Sequence, residues 1–431
     1  MTSNRRNLVT GATAGCLMFT VGQAQGAGFA IIEQGVSGLG NAYAGGAAAA
    51  EEASTVYFNP AGMTRLHGSQ FVGAVHVISP TAEFEGSASV AGVVPVSGGD
   101  GGGAGETAIV PNLYYVRDLN DSLTFGLGVN APFGLTTDYD DDWVGRYHAL
   151  RSEVRTVNLN PALAWKVGDR LSIGAGVNLQ YIDVPDLSQA IDFGALAGVP
   201  TSNDGHVKLE GDDLSWGFNI GFLYELDQDT RMGLAYRSKV DHQLDGSADF
   251  TGTAPGTVPP DWFQDGPVSA DITMPETLSL SVYHDLNPRW AIMGDVTWTR
   301  WSRFDELRVQ FDTTSQPDMV TPQQWDDSRR YSLGLSYRPT DRWTLRTGVA
   351  FDESPVPSAE LRTPRIPGND RRWLAFGASY RQSEQLWLDV GYAHLFVSDT
   401  PINNTSGAAI LSGNYDASVD ILSAQVRWNF R

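Results

Sequence analysis

Cysteine is almost absent: Cys16 is the only one in 431 residues. It sits in an apolar leader, so the chain beyond residue 26 forms no disulfide and offers no thiol for chemistry. Long apolar runs are missing as well. No stretch after Ala27 approaches the ~20 apolar residues of a membrane-spanning helix, so any passage through a bilayer has to be made by a barrel. Positive charge is scarce, with 29 Lys and Arg against 50 Asp and Glu and a net charge of −21, which argues against a nucleic-acid partner. Catalytic patterns are missing too. The seven histidines are scattered with no His-x-x-x-His, no Gly-x-Ser-x-Gly occurs, and the glycine run Gly98 to Gly105 is followed by Glu106 where a phosphate loop needs Lys. No enzyme activity, cofactor or metal is expected.

What the chain has instead is 47 glycines and 10 % aromatic residues, with only 18 % charged, a mix that suits an envelope protein better than a soluble acidic one. Residues 1–26 read as a secretory signal: Arg5 and Arg6, an apolar centre from Leu8 to Val21, then the small-residue site Ala24-Gln25-Gly26. Lipid attachment at Cys16 is the weaker reading, because Thr13 is a poor opening residue for the required box. Cleavage would leave Ala27 first and make the mature chain more acidic still.

Residues 27–67 lack any strand pattern. Glycine at 35, 38, 40, 45 and 46 and the run Ala47 to Ala50 make the segment narrow, and Asn59-Pro60-Ala61 ends it, since proline stops a helix or strand. It is expected to be a plug inside a pore.

From 68 to 431 the period is two. Leu171, Ile173, Ala175, Val177, Leu179 and Tyr181 alternate with Ser172, Gly174, Gly176, Asn178 and Gln180. Similar rows run through Trp216 to Tyr224, Tyr331 to Tyr337 and Leu422 to Phe430. Aromatics close the apolar faces, as girdles do at a membrane interface. Short polar turns alternate with long Gly-, Pro- and Asp-rich stretches near 86–105, 187–207, 250–267, 312–325, 353–369 and 400–414. This is the all-β pattern of a transmembrane antiparallel barrel, here of about fourteen strands, with the plug in its lumen. A soluble sandwich also alternates, but its polar face carries Lys and Glu; here that face is Gly, Ser, Asn, Gln and Thr, as in a confined lumen. The acidic group Asp138, Asp140, Asp141 and Asp142 is expected to be a solvated loop; its other reading is a divalent-ion site bridging to lipopolysaccharide.

Gly38-Leu39-Gly40-Asn41-Ala42-Tyr43-Ala44-Gly45 with Asn59-Pro60-Ala61 resembles the amino-terminal hatch of the long-chain fatty acid transporters of the outer membrane, the FadL family. The stretch Trp298 to Phe304, the block Phe351 to Pro357, Ile366-Pro367, Asp370-Arg371 and Trp373-Leu374 resemble family signatures as well. The resemblance implies a fourteen-stranded barrel, a hatch, an apolar pocket in the lumen and sideways exit of ligand through a gap in a kinked third strand. Asn130-Ala131-Pro132-Phe133-Gly134 is where that gate would lie. Pro132 supplies a local cause by removing a ladder donor, and a simple strand end there is the alternative. Carried over residue by residue, Phe29 would reach into the pocket, Asn59 and Pro60 would form the hatch motif facing the strand-three gap, and Arg308 would meet the ligand's carboxylate. One departure is Asp183, an acid where some members carry a second pocket arginine, and relatives of that family carry uncharged hydrocarbons.

The expected function is passive uptake of hydrophobic small molecules, long-chain fatty acids first, by a monomer set in outer-membrane lipid and lipopolysaccharide. Alternatives are a channel for aromatic or aliphatic hydrocarbons, an outer-membrane lipase, for which no motif speaks, and a surface adhesin.

Overall fold

Alternation in this chain builds a barrel that is greasy outside and polar inside. Along Leu171–Asp192, Ser172, Asn178 and Gln180 are buried while Val177, Leu179 and Tyr181 are exposed. Water would not tolerate a belt of exposed Leu, Val, Phe and Trp this wide; hydrocarbon does, so the exposed rows are the lipid-facing wall. The computed structural model describes residues 28–430, and the expected signal peptide and cleavage site lie outside them.

Fourteen strands form the wall: β1 (Ser69–Val90), β2 (Ala108–Asp118), β3 (Leu123–Asn130, resumed at Gly134–Asp138), β4 (Arg151–Lys166), β5 (Leu171–Asp192), β6 (Asp204–Glu225), β7 (Thr230–Arg237 and Val240–Thr251), β8 (Gly266–Met274 and Thr277–Asn287), β9 (Trp290–Thr299 and Glu306–Phe311), β10 (Ser328–Thr340), β11 (Trp343–Asp352), β12 (Arg371–Arg381), β13 (Leu386–Val397 and Thr400–Ser406) and β14 (Ala409–Phe430). Each pairs antiparallel with the next. β14 closes on β1 from Ser69↔Phe430 to Val90↔Ala409, which leaves no free edge for another chain to join.

Several of the expected loops are partly ladder. Residues 400–414 are not a loop: Thr400–Ser406 ladders with β14 and turns tightly at Ser406↔Ala409. The stretch 187–207 is ladder at both ends, since β5 and β6 stay paired up to Asp192↔Asp204. Beyond the bilayer nothing requires one face of a strand to be apolar, so the hydrophobic alternation fades while the hydrogen bonding continues.

The segment from Gly28 to Leu66 lies inside this wall as short helices α1 (Val36–Leu39), α2 (Gly46–Ala49) and α3 (Thr55–Phe58) and a 3-10 turn at Pro60–Arg65. Inward polar side chains all around the barrel hold its backbone. The Val36 N–H donates to Gln425 on β14 at 3.0 Å, that of Ala47 to Ser281 on β8 at 3.0 Å, and that of Ala53 to Gln70 on β1 at 2.6 Å. Arg231 on β7 donates to the Ala48 carbonyl at 2.7 Å. Lumen-facing glycines make room: a Cβ on Gly348 would stand 2.2 Å from Asn41, and one on Gly233 1.9 Å from the Ala47 oxygen, so strand and plug backbones touch directly.

Candidate functional site

Above the plug the inward row changes character. On β5 it runs Ser172, Asn178, Gln180 and then Ile182 and Val184, and at that level β4, β7, β8 and β9 also turn apolar residues inward. The result is a cavity walled by Leu135, Val154, Ile182, Leu244, Phe304 and Val309 among others, the predominantly apolar lining that ligand pockets share. Its polar groups are few, and the charged one that is most buried is Arg365.

Arg365 comes from the stretch between β11 and β12, which folds into the lumen with Val356 and Ile366 buried in the apolar cluster. Its guanidinium donates to Ser152 Oγ at 2.8 Å, to Gln189 Oε1 at 2.8 Å and to the carbonyls of Arg151 and Ser188 at 3.2 and 3.3 Å. These partners are neutral. Burial pushes the group down to about 10, so it stays a cation at neutral pH and meets an apolar chamber with its charge uncompensated by a hydrogen-bonded acid.

Phe29 forms the floor. Its ring packs against Trp301, Phe304, Phe133 and Trp325 at centroid distances of 4.9, 6.0, 6.0 and 6.1 Å, each such pair contributing roughly 0.5–1.5 kcal/mol beyond its buried area. Gly28 makes the seat possible. Its φ is +67°, and a Cβ there would meet Trp301 and Trp325 at 2.7 Å, so a side chain is excluded by both backbone and space.

β3 is broken at Ala131-Pro132-Phe133, as the proline suggested. Both halves pair with β4, Asn130↔Asn158 before the break and Gly134↔Arg155 after it. On the other side β2 ladders with β3 only from Leu113↔Val129 to Asp118↔Thr124. The residues from Ala108 to Asn112 therefore face β3 without a ladder, and the plug's first residues fill the space. The Ile31 N–H donates to Pro132 O at 2.8 Å, the Gly134 N–H to Phe29 O at 3.0 Å, Gln34 Nε2 to Ala131 O at 2.9 Å and Asn112 Nδ2 to Glu33 O at 2.7 Å. The Glu33 carboxyl is buried, and desolvation pushes it up to about 7 against the lowering fields of Arg330 and Arg371.

The expected site residues separate. Phe29 lines the apolar cavity, and Phe133 of the strand break packs on it. Pro60 lines a second cavity of mixed lining lower in the lumen. Asn59 does not face the strand-three gap: its Nδ2 donates to Ala47 O at 2.6 Å and Phe222 O at 3.0 Å, and a Cβ on Gly221 would meet its Oδ1 at 1.9 Å, so it locks the plug to β6. Arg308 is not brought to the cavity. Its neighbours Leu307 and Val309 line it, so alternation turns Arg308 to the opposite face, where it pairs with Glu306 at 2.7 Å and Asp318 at 2.9 Å. Asp183 is turned away in the same manner between Ile182 and Val184. In the acidic group, Asp138 is ion-paired with Arg151, and among the described residues no cluster of ligand types converges as for a metal.

Residues 17–430 match the family described as outer membrane protein transport protein (OMPP1/FadL/TodX). The chain is 32 % identical over 417 residues to the long-chain fatty acid transport protein of Escherichia coli, covering 90 % of this chain and 91 % of that one. Its fold matches the crystal structure of a Pseudomonas aeruginosa FadL homologue with a TM-score of 0.88 at 27 % identity, over 94 % of this chain and all of the other. The crystal structure of the Ralstonia pickettii toluene transporter TbuX matches in fold at a TM-score of 0.67 and 20 % identity, over 92 % of this chain and all of that one. With fold and sequence in agreement, the chain belongs to the FadL/TodX family of outer-membrane proteins that transport hydrophobic compounds and are not enzymes.

Proposed function

We propose that this protein takes up long-chain fatty acids by passive diffusion. The observation that carries the reading is the buried Arg365 cation on the wall of a mainly apolar cavity. An acyl chain gains about 0.8 kcal/mol per methylene buried there, and a carboxylate beside Arg365 gains a charged partner in a low-dielectric site. Movement of residues 29–34 would clear both the Phe29 floor and the gap beside β3, giving a sideways exit into the membrane. No nucleotide site is needed, because downstream consumption sets the direction. One chain closes the barrel, so we take the working unit to be a monomer surrounded by lipid and lipopolysaccharide.

The second reading is uptake of uncharged aromatic or aliphatic hydrocarbons. It is favoured by the commitment of Arg365 to four neutral acceptors, which leaves the cavity serviceable for a ligand without a head group. Uptake of labelled oleate and of toluene by cells producing this protein as their only such carrier separates the two. Saturable oleate uptake supports the first reading; toluene uptake without oleate uptake supports the second.

A further inference from the structure

Beneath the Phe29 box lies the second cavity, more polar than the first though apolar in part. Thr277, Ser279, Thr297 and Ser328 bring hydroxyls to its lining. The box is the partition between the two chambers: Phe29 and Phe304 line the upper one, while Trp301, packed on Phe29, lines the lower.

Arg330 faces the lower chamber at 5 % exposure. Its Nη2 donates to Ala42 O at 2.6 Å, and its Nε and Nη1 have no hydrogen-bond partner. The other guanidinium on the wall, Arg237, is committed to Asn178 and to the Tyr57 carbonyl. Of the two acids on the wall, Asp295 accepts from the hydroxyls of Ser281 and Thr297. Asp352 is the cross-strand neighbour of both Arg330 and Arg371, so two guanidiniums flank one carboxylate, and Arg371 likewise has Nε and Nη1 without a hydrogen-bond partner. The plug brings a further acid: Glu33 is buried with its Oε2 unpartnered, in the field of both arginines and of Asp352. Buried donors of a cation without acceptors are costly, and an anion relieves them.

We propose that Arg330, with Arg371 behind it, is a second subsite that takes the ligand's carboxylate during transit. Residues 29–34 fill the strand-three gap and carry Glu33 with them. When they withdraw, Glu33 leaves the arginine pair and the head group replaces it. This rests on the fatty acid reading above and adds to it a relay of the head group from Arg365 to Arg330 across the aromatic partition.

The test compares the wild-type chain with Arg330→Gln and Arg330→Lys, all shown to be folded by heat-modifiable gel mobility. Uptake of oleate is measured against uptake of its uncharged methyl ester, beside equilibrium oleate binding to the purified proteins. The expected result is that Arg330→Gln lowers oleate uptake about tenfold relative to the ester, the scale of one charge-assisted contact. Equilibrium binding in the upper cavity is retained, and Arg330→Lys recovers part of the loss. An unchanged oleate-to-ester ratio overturns the proposal, and so does an equal loss of both. Where Arg330→Gln does not fold, the Lys variant decides: its wild-type ratio would overturn the subsite. A wild-type chain with no saturable oleate uptake is a separate outcome that removes the fatty acid reading and the relay together.

Discussion

The Phe29 ring meets the Trp301 indole edge to face at 4.9 Å, and both side chains are almost fully buried. This one contact divides the lumen, because Phe29 belongs to the apolar chamber and Trp301 to the more polar one. Truncating a fully buried Phe to Ala costs roughly 3–5 kcal/mol where the site cannot collapse. Phe29 is held by side-chain packing and by only a few backbone hydrogen bonds, so Phe29→Ala should weaken oleate binding about tenfold or more and leave barrel folding intact. Fluorescence titration and heat-modifiable mobility check the two halves of that statement.

Gly28→Ala should be more disruptive than its single methyl suggests. The added Cβ meets two indoles at 2.7 Å in a left-handed backbone conformation, a strain of roughly 1–2 kcal/mol before the clash is counted. Protease cleavage within residues 29–34 should become faster in this variant, while the wall strands remain protected.

Seating of the plug's first residues should depend on pH through Glu33. Its carboxyl is raised from 4.5 to about 7 when seated, so the seated state binds the proton more tightly than a withdrawn one. The stabilisation is therefore complete below about 4.5, is lost as pH rises toward 7 and is level above that, amounting to at most about 3 kcal/mol. Hydrogen exchange at the Ile31 amide, which donates to Pro132, should accelerate over that window. In Glu33→Gln the window should vanish.

Arg308→Ala should leave oleate binding and uptake at the wild-type level. Its side chain is half-exposed and engaged with Glu306 and Asp318 on the face away from the cavity. A loss of oleate uptake in this variant would mean that the outer face of β9 contributes to capture.

The barrel was legible because a bilayer imposes the strictest of sequence patterns: Val177, Leu179 and Tyr181 have to be apolar and Asn178 and Gln180 do not. The segment that packs inside the wall stood out in the sequence by the failure of that pattern, and the strand break by Pro132. The choice of basic residue was not legible from the resemblance alone. Arg308 lies between Leu307 and Val309, and at that height the apolar row has crossed from the lipid side to the lumen side, so the arginine points away. The crossing is visible on β5, where the inward row passes from Asn178 and Gln180 to Ile182 and Val184, and it is the signal that marks the cavity in the sequence. Arg365 gave no such signal, because the segment that carries it has no period and reaches the lumen by folding back as a loop held by Arg362 and Gly368. The extended hairpin at Thr400–Ser406 was hidden for a related reason: outside the membrane a ladder needs only backbone, and its residues are free to be polar.

Arg365 is proposed to make this cavity a site for a carboxylate-bearing chain. Equilibrium binding of oleate and of methyl oleate to the purified wild-type protein and to Arg365→Gln tests it most directly. The wild type should favour oleate, and the variant should lose about tenfold or more for oleate while the ester is little changed. Equal affinity of the wild type for acid and ester, unaltered in Arg365→Gln, would contradict it and mark the protein as a carrier of uncharged hydrocarbons.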